Sequence, residues 1–140
     1  DFVKTFSADA ITAHYQQALK TPRGLSQVHI YPIDGAAHRV GVGDTAFSYR
    51  DANFAVVIVG VDADPARKDV ITTWCKEYFD TTHQYSAGGA YINFMMEEGQ
   101  ERVQASFREN YHRLAQIKGQ YDPANLFRVN QNIRRVGVTL

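Results

Sequence analysis

The residues of this sequence best equipped for chemistry fall in two short stretches. One is Gly88-Gly89-Ala90-Tyr91-Ile92-Asn93-Phe94; the other runs from Tyr121 to Ile133 and holds the amide run Asn130-Gln131-Asn132. Read as a strand, the first stretch puts the phenol of Tyr91 and the amide of Asn93 on one face, opposite Ile92 and Phe94. The glycine pair before them lets another body approach the backbone closely. In the second stretch each amide both donates and accepts hydrogen bonds. A frayed tail would carry fewer aromatics and more charge, so something must order this segment and partner its amides. Both stretches also have plain structural readings: an exposed or capping pair on an antiparallel strand, and amides that satisfy backbone groups of an irregular segment.

Other chemistries lack support. Gly41-Val42-Gly43-Asp44-Thr45-Ala46 resembles a dinucleotide fingerprint, but that device works between a strand and a helix, and the residues after Ala46 are strand-like and aromatic. The five histidines, His14, His29, His38, His83 and His112, show neither i,i+4 pairing on a helix nor cysteine partners, so no metal site is expected. His29 and His38 can face each other across a hairpin, or serve as ordinary strand histidines. Cys75 lies in the apolar stripe of its helix and reads as a buried, inert thiol. No serine has the glycine-flanked turn of a hydrolase nucleophile.

The elements that must position the two stretches can be read from periodicity. Ser7 caps a helix with Ala10, Ile11, Tyr15, Ala18 and Leu19 at helical spacing, stopped by Thr21-Pro22-Arg23-Gly24. From Leu25 the period becomes two, closing at Pro32 and Asp34-Gly35, with a hairpin-like return through His38, Arg39 and Val40 expected. The β-branched run from Phe54 to Val61 predicts a central strand covered on both faces. Asp64-Pro65 starts a helix with the stripe Ile71, Trp74, Cys75, Tyr78 and Phe79. Residues Ala90 to Met96 read as a strand. One long helix should then carry Val103, Phe107, Tyr111, Leu114 and Ile117, with Gly119 as its C-cap. The pattern predicts an α+β fold with a mainly antiparallel sheet flanked by helices and an extended C-terminal segment.

Composition bounds the function. The chain has 140 residues, 44% hydrophobic and 21% charged, which suits a single domain over residues 1–140. Lys plus Arg and Asp plus Glu number 15 each, so no net field draws the chain to nucleic acid or to an anionic membrane, and neither is expected as a partner. The longest apolar run is too short to span a bilayer. A soluble chain, cytoplasmic rather than secreted, is expected. The first residue is Asp rather than Met, which hints at a fragment or a processed chain.

The two stretches and the helix between them together carry a family likeness. Ala90-Tyr91-Ile92-Asn93-Phe94, Glu98-Gly99, Arg102-Val103, Asn110-Tyr111-x-Arg113-Leu114-x-x-x-Lys118 and the run from Tyr121 to Ile133 resemble the C-terminal segment of the berberine bridge enzyme-like FAD-linked oxidases, within the vanillyl-alcohol oxidase superfamily. Leu25-Ser26-Gln27, Gly35-Ala36, Ala46-Phe47-x-Tyr49-Arg50-Asp51 and the strand from Phe54 are similar to the substrate domain of the same family. The resemblance implies an FAD-dependent oxidoreductase that oxidises an alcohol, amine or sugar carbon by hydride transfer to flavin, with molecular oxygen as electron acceptor. It also implies that the N-terminal FAD-binding domain is a partner absent from these 140 residues, so that the chain alone is inactive. By the same resemblance Asn93, Asn130 and Gln131 lie against the cofactor, Tyr91 is catalytic and handles the substrate proton, and Tyr49 lines the substrate pocket. Amides suit the carbonyls and N–H of an isoalloxazine edge. A phenol titrates near ~10, so a base near neutrality needs a neighbouring cation or hydrogen-bond donor, which the sequence does not reveal.

Two departures stand out. The strand from Phe54 is wholly apolar where plant members carry glutamine or glutamate, and Tyr49 stands where many relatives have histidine before Arg50. Two alternatives stay open: a non-catalytic, stand-alone α+β binding module, and a small dimeric enzyme built around Tyr31, Tyr49 and Tyr91.

Overall fold

A computed structural model describes residues 1–129 and 131–134. The fold is α+β, and it gathers into two compact units: residues 1–33 with 52–87, and residues 34–51 with the chain from Gly88 onward.

The first unit holds a three-stranded antiparallel sheet in the order β1-β3-β2, with β1 at Phe2–Val3, β2 at Gln27–Pro32 and β3 at Phe54–Val59. Phe2 stands opposite Ala55, and β2 runs along β3 from Gln27 opposite Val59 to Pro32 opposite Phe54. The apolar run thus takes the central place its composition predicts. It is less covered than expected, since Val57, Ile58 and Val59 are only half-buried. Val3, Val56 and Ile58 point into the same small cavity as His14, Phe79 and Thr82, so the helices cover that face of the sheet. On the other face His29 Nδ1 lies 2.7 Å from the Tyr31 hydroxyl.

Helix α1 (Ala8–Ala18) begins where expected: the Ser7 hydroxyl accepts from the Ala10 N–H at 3.1 Å. The face it buries is Ala10, His14 and Gln17, not the row Ile11, Tyr15 and Leu19, which is exposed. Polar side chains win that face because α3 (Lys68–Thr82) supplies partners for them. The Tyr78 hydroxyl donates to the His14 carbonyl (3.2 Å) and so accepts from His14 Nδ1 (3.1 Å), which fixes the protonated ring nitrogen. Gln17 Nε2 donates to Thr81 Oγ1 (2.9 Å), and the Trp74 indole to the Gln17 carbonyl (3.4 Å). Burial pushes the His14 pKa down and so favours the neutral ring. A short turn, Pro65–Arg67, capped by the Asp64 carboxylate on the Ala66 N–H at 2.9 Å, leads into α3. Ile71, Trp74 and Tyr78 are buried along α3, whereas Cys75 is half-buried. Its thiol lies over Gly60, where a Cβ would sit 2.5 Å from the sulfur, and burial pushes its pKa up, which keeps the thiol unreactive.

The second unit departs more from the pattern. The return through His38 is not a strand; residues Ala36–Arg39 form a single helical turn, α2. The glycine-rich stretch 41–43 is a turn closed by the Asp44 carboxylate on the Gly41 N–H at 3.0 Å. The long helix is two helices, α4 (Gln100–Phe107) and α5 (Asn110–Tyr121), broken at Arg108 with φ +48°. The break lets the Arg108 guanidinium lie 3.6 Å over the Tyr49 ring and bond Asp51 at 2.9 Å. Gly119 does not end α5, which runs on to Tyr121. Ala90, Met95 and Val103 form a small core with Ile92, Phe107, Tyr111 and Ile133 around it. Among the described residues no helix is long and apolar enough to cross a membrane.

Candidate functional site

Residues 90–96 do not form the expected strand. Ile92–Phe94 is a single 3₁₀ turn, and the flanking backbone pairs with no sheet among the described residues. What holds the segment is α4 and Tyr49. Arg102 Nη1 donates to the Gly88 carbonyl at 2.9 Å, and the Ala90 N–H donates to Ser106 Oγ at 3.1 Å. Gly88 takes φ +93°, which favours glycine. Gly89 leaves no room for a side chain, since a Cβ there would lie 2.2 Å from the Tyr49 hydroxyl. Close approach of another group was the role expected of this pair; at Gly89 the group that approaches is Tyr49.

The turn still sets Tyr91 and Asn93 side by side. Asn93 Nδ2 donates to the Tyr91 hydroxyl oxygen at 2.9 Å, while the Phe94 ring packs edge-on against Tyr91 with centroids 5.0 Å apart. Tyr91 is 38% exposed, so its phenol is open to a ligand. Asn93 is thus the hydrogen-bond donor to the phenol oxygen. Ile92 turns the other way, onto the core of Ala90, Met95 and Val103.

Gln131 spends its amide on protein. Its Nε2 donates to the carbonyls of Met95 (2.9 Å) and Met96 (3.0 Å), which ties the C-terminal segment to the end of the Tyr91 loop. Asn130 lies outside the described residues. Beside it, the Asn132 Oδ1 is buried and finds no donor among the described residues, an acceptor suited to the N–H of a flavin pyrimidine edge. Tyr49 is 2% exposed and donates to the Ala105 carbonyl at 2.9 Å, so it touches the Gly88-Gly89 approach rather than open space.

Sequence reasoning missed three positioning residues, Arg102, Ser106 and Asp122. Ser106 reads as a neutral helix residue, and only the loop folded over it gives its hydroxyl a task. Asp122 was legible in part, since Lys118 stands four residues before it on the helix. Its carboxylate accepts from the N–H groups of Leu126 (2.7 Å) and Phe127 (3.0 Å) as well as from Lys118 Nζ. The bond from Lys118, and then those backbone donors, hold its pKa below the usual carboxylate range.

Comparisons with known proteins place the chain among related sequences and folds. Residues 90–134 match the family described as Berberine and berberine like. An uncharacterized FAD-linked oxidoreductase of Bacillus subtilis, YgaK, is 32% identical over 130 residues, 93% of this chain and 29% of its own length. Aclacinomycin-N/aclacinomycin-A oxidase of Streptomyces galilaeus is 24% identical, covering 96% of this chain and 28% of that protein. The chain thus spans less than a third of the curated relatives it matches. Among solved structures, wild-type BBE-like 1 of Physcomitrella patens shares the fold at a TM-score of 0.79 and 21% identity, over 94% of this chain and 29% of that one. The chain is thus similar at residues 90–134 to the berberine and berberine-like family and, along nearly its whole length, to part of an FAD-linked oxidoreductase.

Proposed function

We propose that the chain is the substrate-domain and C-terminal part of an FAD-dependent oxidoreductase acting on an alcohol, amine or sugar carbon, in partnership with an FAD-binding domain outside these 140 residues. The observation that carries this reading is the exposed Tyr91 phenol, paired with Asn93 inside the segment that matches the family. Bound FAD supplies the acceptor for hydride from the substrate carbon, with molecular oxygen taking the electrons onward. Tyr91, entering the step as the phenolate, accepts the proton from the substrate hydroxyl or amine and ends as the neutral phenol, with Asn93 Nδ2 holding its oxygen in place throughout. By the family resemblance Asn130 and Gln131 would hold the flavin, and the buried Asn132 Oδ1 would offer an acceptor to a ring N–H. Tyr49 contributes by filling the space under Gly89 and so fixing the backbone that presents Tyr91.

The test is an anaerobic titration of the native polypeptide with simple alcohols, amines and aldoses while its visible spectrum is followed. A yellow band that bleaches with one of these classes is the expected result. Tyr91→Phe should slow the bleaching by roughly 10²- to 10⁴-fold, the usual contribution of a general base, at unchanged flavin content. A protein that never carries flavin, or a Tyr91→Phe variant that bleaches at the original rate, would overturn the reading.

A further inference from the structure

Residues 131–134 lie in neither helix nor strand, yet each is tied down. Gln131 Nε2 reaches the Met95 and Met96 carbonyls, and Ile133 packs on the core of Ala90, Met95 and Val103. Asn132 and Arg134 are held by a clamp between α4 and α5. Gln100 Nε2, at the start of α4, donates to the Asn132 carbonyl at 3.4 Å and to the Tyr111 hydroxyl at 2.8 Å. The same hydroxyl accepts from the Arg134 N–H at 3.0 Å. Tyr111 thus joins both helices to the segment through one oxygen. Its ring is anchored as well, packed on the same core and against Phe107 with centroids 6.5 Å apart.

The clamp surrounds an atom that gains nothing from it. Asn132 Oδ1 is buried and has no donor among the described residues, a state that folded chains ordinarily avoid by giving such a group a partner. Here the backbone is fixed on both sides of Asn132, so the acceptor is kept in place without one. We infer that Tyr111 is a positioning residue for the cofactor: with Gln100 it fixes the backbone about Asn132, so that the buried Oδ1 meets a ring N–H and thereby sets how readily the ring takes up electrons. This rests on the proposed function for the identity of the ligand. The oxygen of an amide carries partial negative charge, and held against a ring N–H in a site shielded from water it opposes the gain of electrons by that ring. A clamp that keeps it there holds the flavin's reduction potential down.

Tyr111→Phe, made in the native-length protein, keeps the packed ring and removes only the hydroxyl. Two quantities are followed: amide exchange over residues 131–134, and the reduction potential of the flavin by anaerobic equilibration with a dye of known potential. Exchange at the Arg134 amide should rise at least tenfold. The ratio of reduced to oxidised flavin at a fixed dye ratio should rise about tenfold, ~30 mV for a two-electron couple. Gln100→Met breaks the same clamp from α4 and should move both quantities the same way, which decides the matter should Tyr111→Phe fold poorly. Asn132→Leu should raise the potential by itself and leave Tyr111→Phe without further effect on it, since a positioning residue acts only through the residue it positions. Faster exchange with an unmoved potential would reduce the clamp to a structural brace and overturn the inference. So would a Tyr111→Phe shift that persists beside Asn132→Leu. Both of those outcomes leave the flavin reading standing, whereas a protein that never carries flavin ends that reading and this inference together.

Discussion

The sheet-bearing unit and the unit that carries Tyr91 are held by different kinds of bond. In the first, ladders and one helix-to-helix polar seam do the holding, with His14, Gln17, Trp74 and Tyr78 meeting one another inside it. In the second, side chains reach for the backbone of irregular loops: Arg102 to Gly88, Tyr49 to Ala105, Asn110 to Val42 and Thr45, Arg113 to Gly43, and Gln131 to Met95. A loop held this way can present an exposed phenol at a fixed place, which a strand inside a sheet does less easily. Its stability then rests on a few contacts, each expensive to lose.

The sharpest way to break the second unit alone is Gly89→Ala. The new methyl would meet the Tyr49 hydroxyl at 2.2 Å and ring carbon Cζ at 2.4 Å. Tyr49 cannot swing aside, because Arg108 covers its ring and Ala105 holds its hydroxyl. A cost of about 3 kcal/mol is expected, the upper range for overpacking. Amide exchange should rise across residues 88–107 and leave β2 and β3 protected. Uniform loss over both units would show that they do not fail separately, and a cost below ~0.5 kcal/mol would mean that the ring moves after all.

Tyr78→Phe is the counterpart in the first unit. It strips the acceptor from His14 Nδ1 and the donor from the His14 carbonyl, both buried. A loss of about 2 kcal/mol is expected from one unsatisfied buried donor, read as a shift in the denaturant midpoint. The exchange pattern should be the mirror of Gly89→Ala, with α1 and α3 loosened first. A neutral outcome would mean that the seam is not what joins those helices.

This contrast also explains how much was legible beforehand. The first unit follows from local rules: Ser7 caps, Asp64-Pro65 starts a helix, and the run Phe54–Val59 is β-branched and central. What misled there was the row Ile11, Tyr15 and Leu19, since periodicity marks an apolar face but not whether a polar seam takes its place. In the second unit Tyr91 and Asn93 were rightly set together for a wrong reason, since a 3₁₀ turn and not strand alternation joins them. The break at Arg108 left no signal at all. Arginine is a good helix former, and only the Tyr49 ring and Asp51 draw it out of the helix.

Acid sharpens the comparison further. Burial depresses the His14 pKa, so the fold favours the neutral ring while the unfolded chain takes up a proton near pH ~6.5. The first unit should keep its full stability above that value and lose it as pH falls toward the depressed folded pKa. The slope is at most about 1.4 kcal/mol per pH unit. Asp122 behaves otherwise. Its folded pKa lies below the usual carboxylate range, Lys118 being the main cause. Its contribution is present above the unfolded value near ~3.9 and vanishes only as pH drops through the lower folded value. Between about pH 6.5 and 4, then, exchange should quicken in α1 and α3 while the amides of Leu126 and Phe127 stay protected. The opposite order would sink both assignments.

The smallest effect tests whether a legible signal carries the weight its legibility suggests. Ser7→Ala removes the acceptor of the Ala10 N–H at the start of α1, and about 1 kcal/mol is the typical cost of such a cap. Helix α5 begins with no side-chain cap, and its first residue, Asn110, spends its amide outward on Val42 and Thr45. If the first unit is built from local rules, Ser7→Ala should fray α1 and change nothing in the Tyr91 loop. Asn110→Ala should loosen residues 42–46 and leave the start of α5 as it was. Should Ser7→Ala cost nothing measurable, α1 is held by His14 and Gln17 alone, and the first unit would then depend on side-chain contacts as much as the second does.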